Sequence, residues 1–124
     1  MNIRVAIIDD DQSVRKSLSR LLHVMNIETE GYSSAESFIV DPDRTQFDCL
    51  LLDVQLGGMT GLELQRRLKA EQSPVPIIFI TAFEDPAAQA EAERIGCAAF
   101  FHKTDAGTQI IRAIRNAAGQ VTAK

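Results

Sequence analysis

The 124-residue sequence has little cysteine, no tryptophan and no long apolar run. Its two cysteines, Cys49 and Cys97, lie within apolar runs and lack the spacing of a metal site, so we interpret both as small core residues of a cytoplasmic protein. No apolar run approaches the roughly 20 residues that span a bilayer. The first ten residues lack the basic, apolar and small-residue order of a signal peptide. We therefore expect a cytoplasmic protein with no membrane partner.

The net charge argues against a nucleic-acid-binding domain. Lysine and arginine together number 13 and the acidic residues 17, which gives a net charge of -4. A net negative domain repels a phosphate backbone, so we expect no direct binding of nucleic acid by this domain. The composition, 45% hydrophobic and 24% charged, is typical of a globular protein. We predict one domain over residues 1–118 and a C-terminal tail or the start of a linker over 119–124.

Strand-like runs alternate with helix-like periods along the whole chain. Three runs are nearly continuous in apolar residues, which is typical of strands covered on both faces, whereas the run at 27–32 alternates and predicts an edge strand. The predicted strands are residues 3–8, 27–32, 47–52, 75–80 and 97–101. Apolar residues recur at helical spacing between these runs. The alternation predicts an α/β fold with a parallel sheet and helices on both faces.

Polar residues with N-cap spacing predict where four helices begin. They are Asp11, the capping-box pairs Ser33–Glu36 and Thr60–Glu63, and Asp85 followed by Pro86. The helix predicted near 85–95 consists mostly of alanine and charged residues, so its apolar face buries little area. We expect this helix to be a mobile or partner-facing element.

Polar residues also gather where the predicted strands end. They are Asp9, Asp10 and Asp11 after the first strand, Asp53 after the third, Thr81 after the fourth, and His102 and Lys103 after the fifth. Because parallel strands end at one edge of a sheet, where ligands bind, these residues predict a single site. Clustered carboxylates suit Mg²⁺, and a lysine and a hydroxyl beside them suit a phosphoryl group.

Four motifs in chain order resemble the receiver domain of two-component response regulators, the family of the bacterial chemotaxis regulator. They are IIDDD, LLLDVQLGGMTG, IIFITA and FFHK, and the resemblance covers about residues 3 to 118. It implies a flavodoxin-like (βα)₅ fold with strand order 2-1-3-4-5. It also implies that a histidine kinase or phosphotransfer protein supplies a phosphoryl group to the domain.

The resemblance assigns roles to matching positions. For the phosphoryl group, Asp53 is implied as the phosphoacceptor, with Thr81 and Lys103 contacting the phosphoryl oxygens. For Mg²⁺, the implied ligands are Asp53, Asp10, Asp9 through water, and the backbone carbonyl of Gln55. An aspartate can form such an acyl phosphate, and phosphoryl transfer depends mainly on positioning and charge neutralisation.

The resemblance further implies a switch and an output. Thr81 and Phe100 are the implied switch residues, and Ala82, Phe83 and Gln55 flank the path of water and phosphodonors to the acceptor. Phosphorylation would change the face formed by the fourth helix, fifth strand and fifth helix. The implied output is a partner or attached domain, with a helix-turn-helix transcription domain and a phosphorylation-dependent homodimer as specific candidates. Such a domain catalyses only its own phosphorylation and dephosphorylation.

Two positions depart from the family pattern. Gly57, followed by Gly58, replaces the usual proline four residues after the acceptor, and predicts a less constrained loop. Lys103 is followed by Thr104 where the family has a proline in a cis peptide. A cis bond before a residue other than proline costs about 3–4 kcal/mol, so we predict a trans Lys103–Thr104 bond.

Two other functions compete with the receiver hypothesis. The IIDDDQS segment also resembles the first motif of haloacid-dehalogenase-type phosphatases, with Asp9 as nucleophile and Asp11 completing D-x-D. That function would leave Asp53 without a role, and the chain has no room for a cap. The other alternative is a degenerate receiver that is never phosphorylated and acts as a binding module. The residue that carries a labile phosphoryl group distinguishes these possibilities.

Overall fold

One parallel sheet organises the chain, and the computed structural model describes residues 2–122. The sheet has the strand order β2-β1-β3-β4-β5, as expected. Its strands are β1 (Arg4–Ile8), β2 (Glu28–Tyr32), β3 (Cys49–Asp53), β4 (Ile77–Thr81) and β5 (Ala99–His102). The helices are α1 (Gln12–Val24), α2 (Ala35–Ile39), α3 (Gly61–Ala70), α4 (Pro86–Ile95) and α5 (Gly107–Thr122), with a short 3-10 helix at Arg44–Gln46. The predicted α/β fold is confirmed.

The sheet is covered on both faces, and each face has its own apolar core. One core joins Leu50 and Leu52 of β3 to α2, α3 and α4. The other joins Cys49 and Leu51 of the same strand to α1 and α5. Every residue of β3 and β4 is therefore buried, which explains their continuous apolar sequences. Cys49 is a buried core residue as predicted, and Cys97 is half-buried; both are free thiols.

Strand β2 lies at the edge of the sheet, as its alternating sequence predicted. Tyr32 is its only buried residue, and β1 is its only neighbour among the described strands. Edge strands meet water on one side, so the glutamates of β2 remain solvated.

Three of the four predicted helix starts are confirmed. The Asp11 carboxylate accepts hydrogen bonds from the Ser13 and Val14 amides, Thr60 and Glu63 form a reciprocal capping box, and Asp85 caps the helix that begins at Pro86. The prediction for Ser33 and Glu36 was wrong. The N-cap is Ser34, whose hydroxyl accepts from the Ser37 amide at 3.0 Å, and Glu36 bonds elsewhere.

The chain ends in a helix in the described residues, and none of the helices spans a membrane. Helix α5 continues to Thr122, so the predicted tail begins within a helix, while Met1, Ala123 and Lys124 lie outside the described residues. Among residues 2–122, no helix combines the length and apolar character needed to cross a bilayer.

Helix α3 begins with a glycine because the chain passes very close to β3 there. A Cβ placed on Gly61 would lie 2.3 Å from the Asp53 carbonyl oxygen, whereas one on Gly57 would meet nothing within 4 Å.

We predict that Gly61→Ala lowers the free energy of unfolding by about 2 kcal/mol or more, because backbone must move to admit the methyl group. The matched control Gly57→Ala should leave it unchanged or slightly raised. Urea unfolding of both variants measures this, and equal effects would contradict the packing account.

Candidate functional site

Three carboxylates meet where β1 and β3 end. Asp9, Asp10 and Asp53 each place an oxygen so that all three lie within 4.8 Å of one another. The neighbouring strands explain this, because Ile8 and Leu52 pair in register just before the two acidic ends. Asp9 and Asp53 are only 3% and 4% exposed, whereas Asp10 faces solvent. The cluster therefore combines two buried negative charges with one accessible charge.

Lys103 bridges the two buried carboxylates. Its Nζ lies 2.9 Å from Asp9 Oδ2 and 3.2 Å from Asp53 Oδ2. The Lys103 amide donates to the Thr81 carbonyl at 2.8 Å, which fixes the lysine backbone beside β4. Burial lowers the pKa of Lys103, but hydrogen bonding to Asp9 and the charge of Asp53 outweigh it and raise the pKa overall. The ammonium is thus held charged between its partners.

The remaining oxygens of the buried pair are held by backbone amides. Asp9 Oδ1 accepts from the Asp11 amide at 2.9 Å, and Asp53 Oδ1 accepts from the Gln55 amide at 3.0 Å. Arg15 adds a bond from its Nη1 to the Asp9 carbonyl oxygen at 2.6 Å. Both carboxylates therefore have defined orientations, with their Oδ2 atoms turned toward Lys103.

Burial makes ionised Asp53 unfavourable when no cation lies beside it. Burial is the largest influence and the nearby charge of Asp9 adds to it; together they raise the pKa of Asp53 to about 6, against the opposing effects of the Gln55 amide and Lys103. A cation bound beside these oxygens would relieve both effects. Clustered carboxylate oxygens are the ligands that a hard divalent ion prefers, so the residues fit Mg²⁺.

Thr81 lies beside the cluster, but its hydroxyl is bonded within its own loop. The side chain is buried, and Oγ1 accepts from the Phe83 amide at 3.3 Å and lies 3.4 Å from the Phe83 carbonyl oxygen. Ala82 and Gln55 are exposed, and Phe83 is 63% exposed. Among the described residues, the structure thus brings Asp9, Asp10, Asp53 and Lys103 together. The Thr81 hydroxyl is hydrogen-bonded to the Phe83 backbone instead.

Strand β5 carries Phe100 into the core on the α4 side of the sheet. Phe100 is half-buried, and its ring centroid lies 5.8 Å from that of Phe79. Two residues later, His102 Nε2 lies 3.3 Å from Glu84 Oε1, and the His102 amide donates to Asp105 Oδ2 at 2.8 Å.

The described residues contain no cis peptide bond, which confirms the trans Lys103–Thr104 prediction.

Two polar contacts between different elements had no signal in the amino-acid sequence. Glu36 Oε2 accepts from the Met59 amide at 2.7 Å, which links α2 to the loop after β3. Gln65, fully buried in α3, donates from Nε2 to the Ala92 and Gly96 carbonyl oxygens near the end of α4. Each contact joins residues more than 20 positions apart, so local spacing could not indicate either.

Known proteins share this fold and sequence pattern. The response regulator TodT of Pseudomonas putida is 37% identical over 113 residues, which are 91% of this chain and 50% of that protein. The transcriptional regulatory protein FixJ of Bradyrhizobium diazoefficiens is 34% identical over 99 residues, 80% of this chain and 48% of FixJ. A crystal structure of FixJ-N superposes with a TM-score of 0.85 at 33% identity and covers 95% of this chain and 94% of that one.

The curated relatives extend well beyond the matched region. The chain spans about half the length of both TodT and FixJ. The family model described as the response regulator receiver domain matches residues 5–115, which run from the second residue of β1 into α5 and include all the predicted site residues. This match gives no support to the phosphatase alternative. The chain belongs to the family of response regulator receiver domains.

Proposed function

We propose that this domain accepts a phosphoryl group on Asp53 from a histidine kinase or phosphotransfer protein. The observation that carries the proposal is the pairing of a buried Asp53 carboxylate with Lys103, beside two further acids at the carboxyl edge of the sheet. A carboxylate in such surroundings can act as a nucleophile toward phosphorus. The domain is a signalling unit, and the only chemistry proposed for it is formation and loss of its own acyl phosphate.

The side chains support an in-line transfer. A carboxylate oxygen of Asp53 attacks phosphorus, an O–P bond forms as the N–P bond of the donor phosphohistidine breaks, and the leaving imidazole nitrogen keeps the electron pair. Lys103 neutralises charge on the phosphoryl oxygens. If Asp53 Oδ2 reacts, Lys103 still keeps Asp9 Oδ2 as a partner at 2.9 Å. The lysine can therefore turn toward the phosphoryl group without losing its position.

The acidic cluster fits the magnesium ion that receivers use. We assign Asp10 and Asp53 as direct ligands, Asp9 as a ligand through water, and the Gln55 backbone carbonyl as a further ligand. When bound, Mg²⁺ neutralises negative charge on the phosphoryl oxygens. The protein contributes the three carboxylate oxygens already gathered within 4.8 Å.

The proposed switch begins at Thr81. Its hydroxyl leaves the Phe83 backbone for a phosphoryl oxygen, and Phe100 turns inward into the space released. The face of α4, β5 and α5 then changes its partner, as a shift between two populations biased by one charged group. Helix α4 suits this role because Ala88 and Ala92 are its only buried residues, so few apolar contacts hold it. The exposed Phe83, Ala82 and Gln55 set the access of water and phosphodonors.

The relatives support a proposal for the output. FixJ is a transcriptional regulatory protein and TodT a response regulator, each about twice as long as the matched region. We propose that residues 1–118 form the receiver and that 119–124 lead from it as a tail or linker. The proposed output is an attached domain or partner in the cytoplasm, with a helix-turn-helix transcription domain and a phosphorylation-dependent homodimer as specific forms.

A phosphorylation experiment locates the acceptor. With acetyl phosphate and Mg²⁺, the wild-type protein should gain the mass of one phosphoryl group, and chemical trapping of the acyl phosphate should locate it on Asp53. Asp53→Asn should abolish the gain because the amide is not a nucleophile, while Asp43→Asn, at an exposed acid, should not. A label on Asp9 would support the phosphatase alternative. No label on any residue would support the degenerate receiver.

The burial of Asp53 predicts a pH-dependent stability in metal-free protein. The folded-state pKa of about 6 lies above the ordinary value of 3.8, so the folded protein holds this proton more tightly than the unfolded chain. The resulting stabilisation is complete below pH 3.8 and is lost as the pH rises through about 6. In EDTA, wild type should therefore lose on the order of 1–2 kcal/mol relative to Asp53→Asn between acidic and neutral pH. Urea unfolding tests this; a wild type that gained relative stability over this interval would contradict the assignment.

A further inference from the structure

We propose that Glu36 is a positioning residue for the acidic site: from α2, its carboxylate holds the loop that carries Gln55. This loop, residues 54–60, joins β3 to α3 and is called the β3–α3 loop below. The inference rests on the proposed function, because the loop supplies the assigned carbonyl ligand of Mg²⁺. It adds a residue to the site that lies outside the carboxylate cluster and acts only through the backbone.

The contact is close and specific. Glu36 Oε2 accepts from the Met59 amide at 2.7 Å. The same oxygen would lie 2.6 Å from a Cβ placed on Gly58, whose φ of 73° also favours glycine. The carboxylate therefore sits against the Gly58 backbone while it binds the next amide. Only a residue without a side chain at 58 leaves room for this arrangement.

The middle of the β3–α3 loop has few restraining hydrogen bonds. Adjacent glycines, Gly57 and Gly58, give it the largest backbone freedom, and a Cβ at Gly57 would meet no neighbour within 4 Å. The loop ends are tied by Asp53 to the Gln55 amide and by the Thr60–Glu63 capping box. Between these ends, over residues 56–59, the Glu36 contact is the one hydrogen bond to another element that the described part of the chain shows. Apolar packing also anchors the loop, because the Leu56 side chain is buried and Met59 packs against the core that includes α2.

Helix α2 provides a firm support for this contact. Ser34 caps its first turn, and Ala35 and Phe38, on either side of Glu36 in the chain, are fully buried. A hydrogen bond from an amide to a carboxylate is stronger than one between neutral groups. Holding the loop before the ion binds reduces the conformational entropy lost when the Gln55 carbonyl is ordered. The expected consequence is tighter Mg²⁺ binding, with no direct part for Glu36 in phosphoryl transfer.

Amide hydrogen exchange and Mg²⁺ titration, both followed by NMR, test the proposal. In metal-free Glu36→Ala, the Met59 amide should lose its protection, and the Kd for Mg²⁺ should rise about three- to tenfold. Glu36→Gln should show a smaller change, because its amide oxygen still accepts a hydrogen bond. Glu30→Ala is the matched control, since it removes the same charge from an exposed position on β2. Neither quantity should change in it.

A second variant tests the close approach to Gly58. The methyl group in Gly58→Ala should displace the carboxylate, so this variant should also weaken Mg²⁺ binding. Glu36→Ala should then add little in the Gly58→Ala background, because the contact is already lost. The strain from the positive φ at residue 58 is present in both Gly58→Ala and the double variant. It therefore cancels when their Mg²⁺ affinities are compared.

Three results would overturn the proposal. They are unchanged Met59 exchange and Mg²⁺ affinity in Glu36→Ala, an equal loss of affinity in Glu30→Ala, and fully additive effects of the Glu36 and Gly58 variants. If wild type binds no Mg²⁺, the metal assignment of the proposed function fails and the role of Glu36 in metal binding fails with it. Met59 exchange in the metal-free protein then still decides whether Glu36 holds the loop.

Discussion

The bridge from Lys103 to Asp9 and Asp53 is the interaction on which the site depends. Two buried carboxylates at the ends of adjacent strands repel each other, and the repulsion is strong where water is excluded. The Lys103 ammonium lies within 3.2 Å of both. Strand β4 lies between β3 and β5, and the Thr81 carbonyl at its end holds the Lys103 backbone. From this position the lysine side chain reaches both carboxylates. The strand order thus balances charges that are far apart in sequence.

This balance is incomplete, and the excess negative charge explains the function we propose. Asp10 adds a third carboxylate, and Asp53 keeps a raised pKa of about 6 despite its lysine partner. A bound divalent cation would complete the neutralisation, and Lys103 could then exchange its Asp53 contact for a phosphoryl oxygen while it keeps Asp9. The Thr81 hydroxyl lies beside the site and is hydrogen-bonded to the Phe83 backbone. It can exchange this bond for one to a phosphoryl oxygen. The same electrostatic imbalance therefore favours metal binding and biases the switch.

Much of this structure could be predicted because its causes are local. The apolar runs of β1, β3 and β4 reflect burial on both faces, the alternation of β2 reflects an edge, and acids at strand ends indicate the site. Asp11, Thr60 and Asp85 cap helices through bonds within three residues. The predicted N-cap of α2, Ser33, was wrong by one residue, because the neighbouring Ser34 has the same hydroxyl group and caps the helix instead. Glu36 and Gln65 could not be predicted, because their partners depend on how α2 and α4 pack.

A crystal structure with beryllofluoride and Mg²⁺ tests the central claim most directly, because this mimic of a phosphoryl group shows which carboxylate reacts. We predict beryllofluoride on an Asp53 carboxylate oxygen, the metal beside Asp10 and Asp9, and Lys103 Nζ turned from Asp53 to a fluorine atom. An adduct on Asp9, or a Lys103 that keeps both carboxylate contacts with no adduct on Asp53, would contradict it.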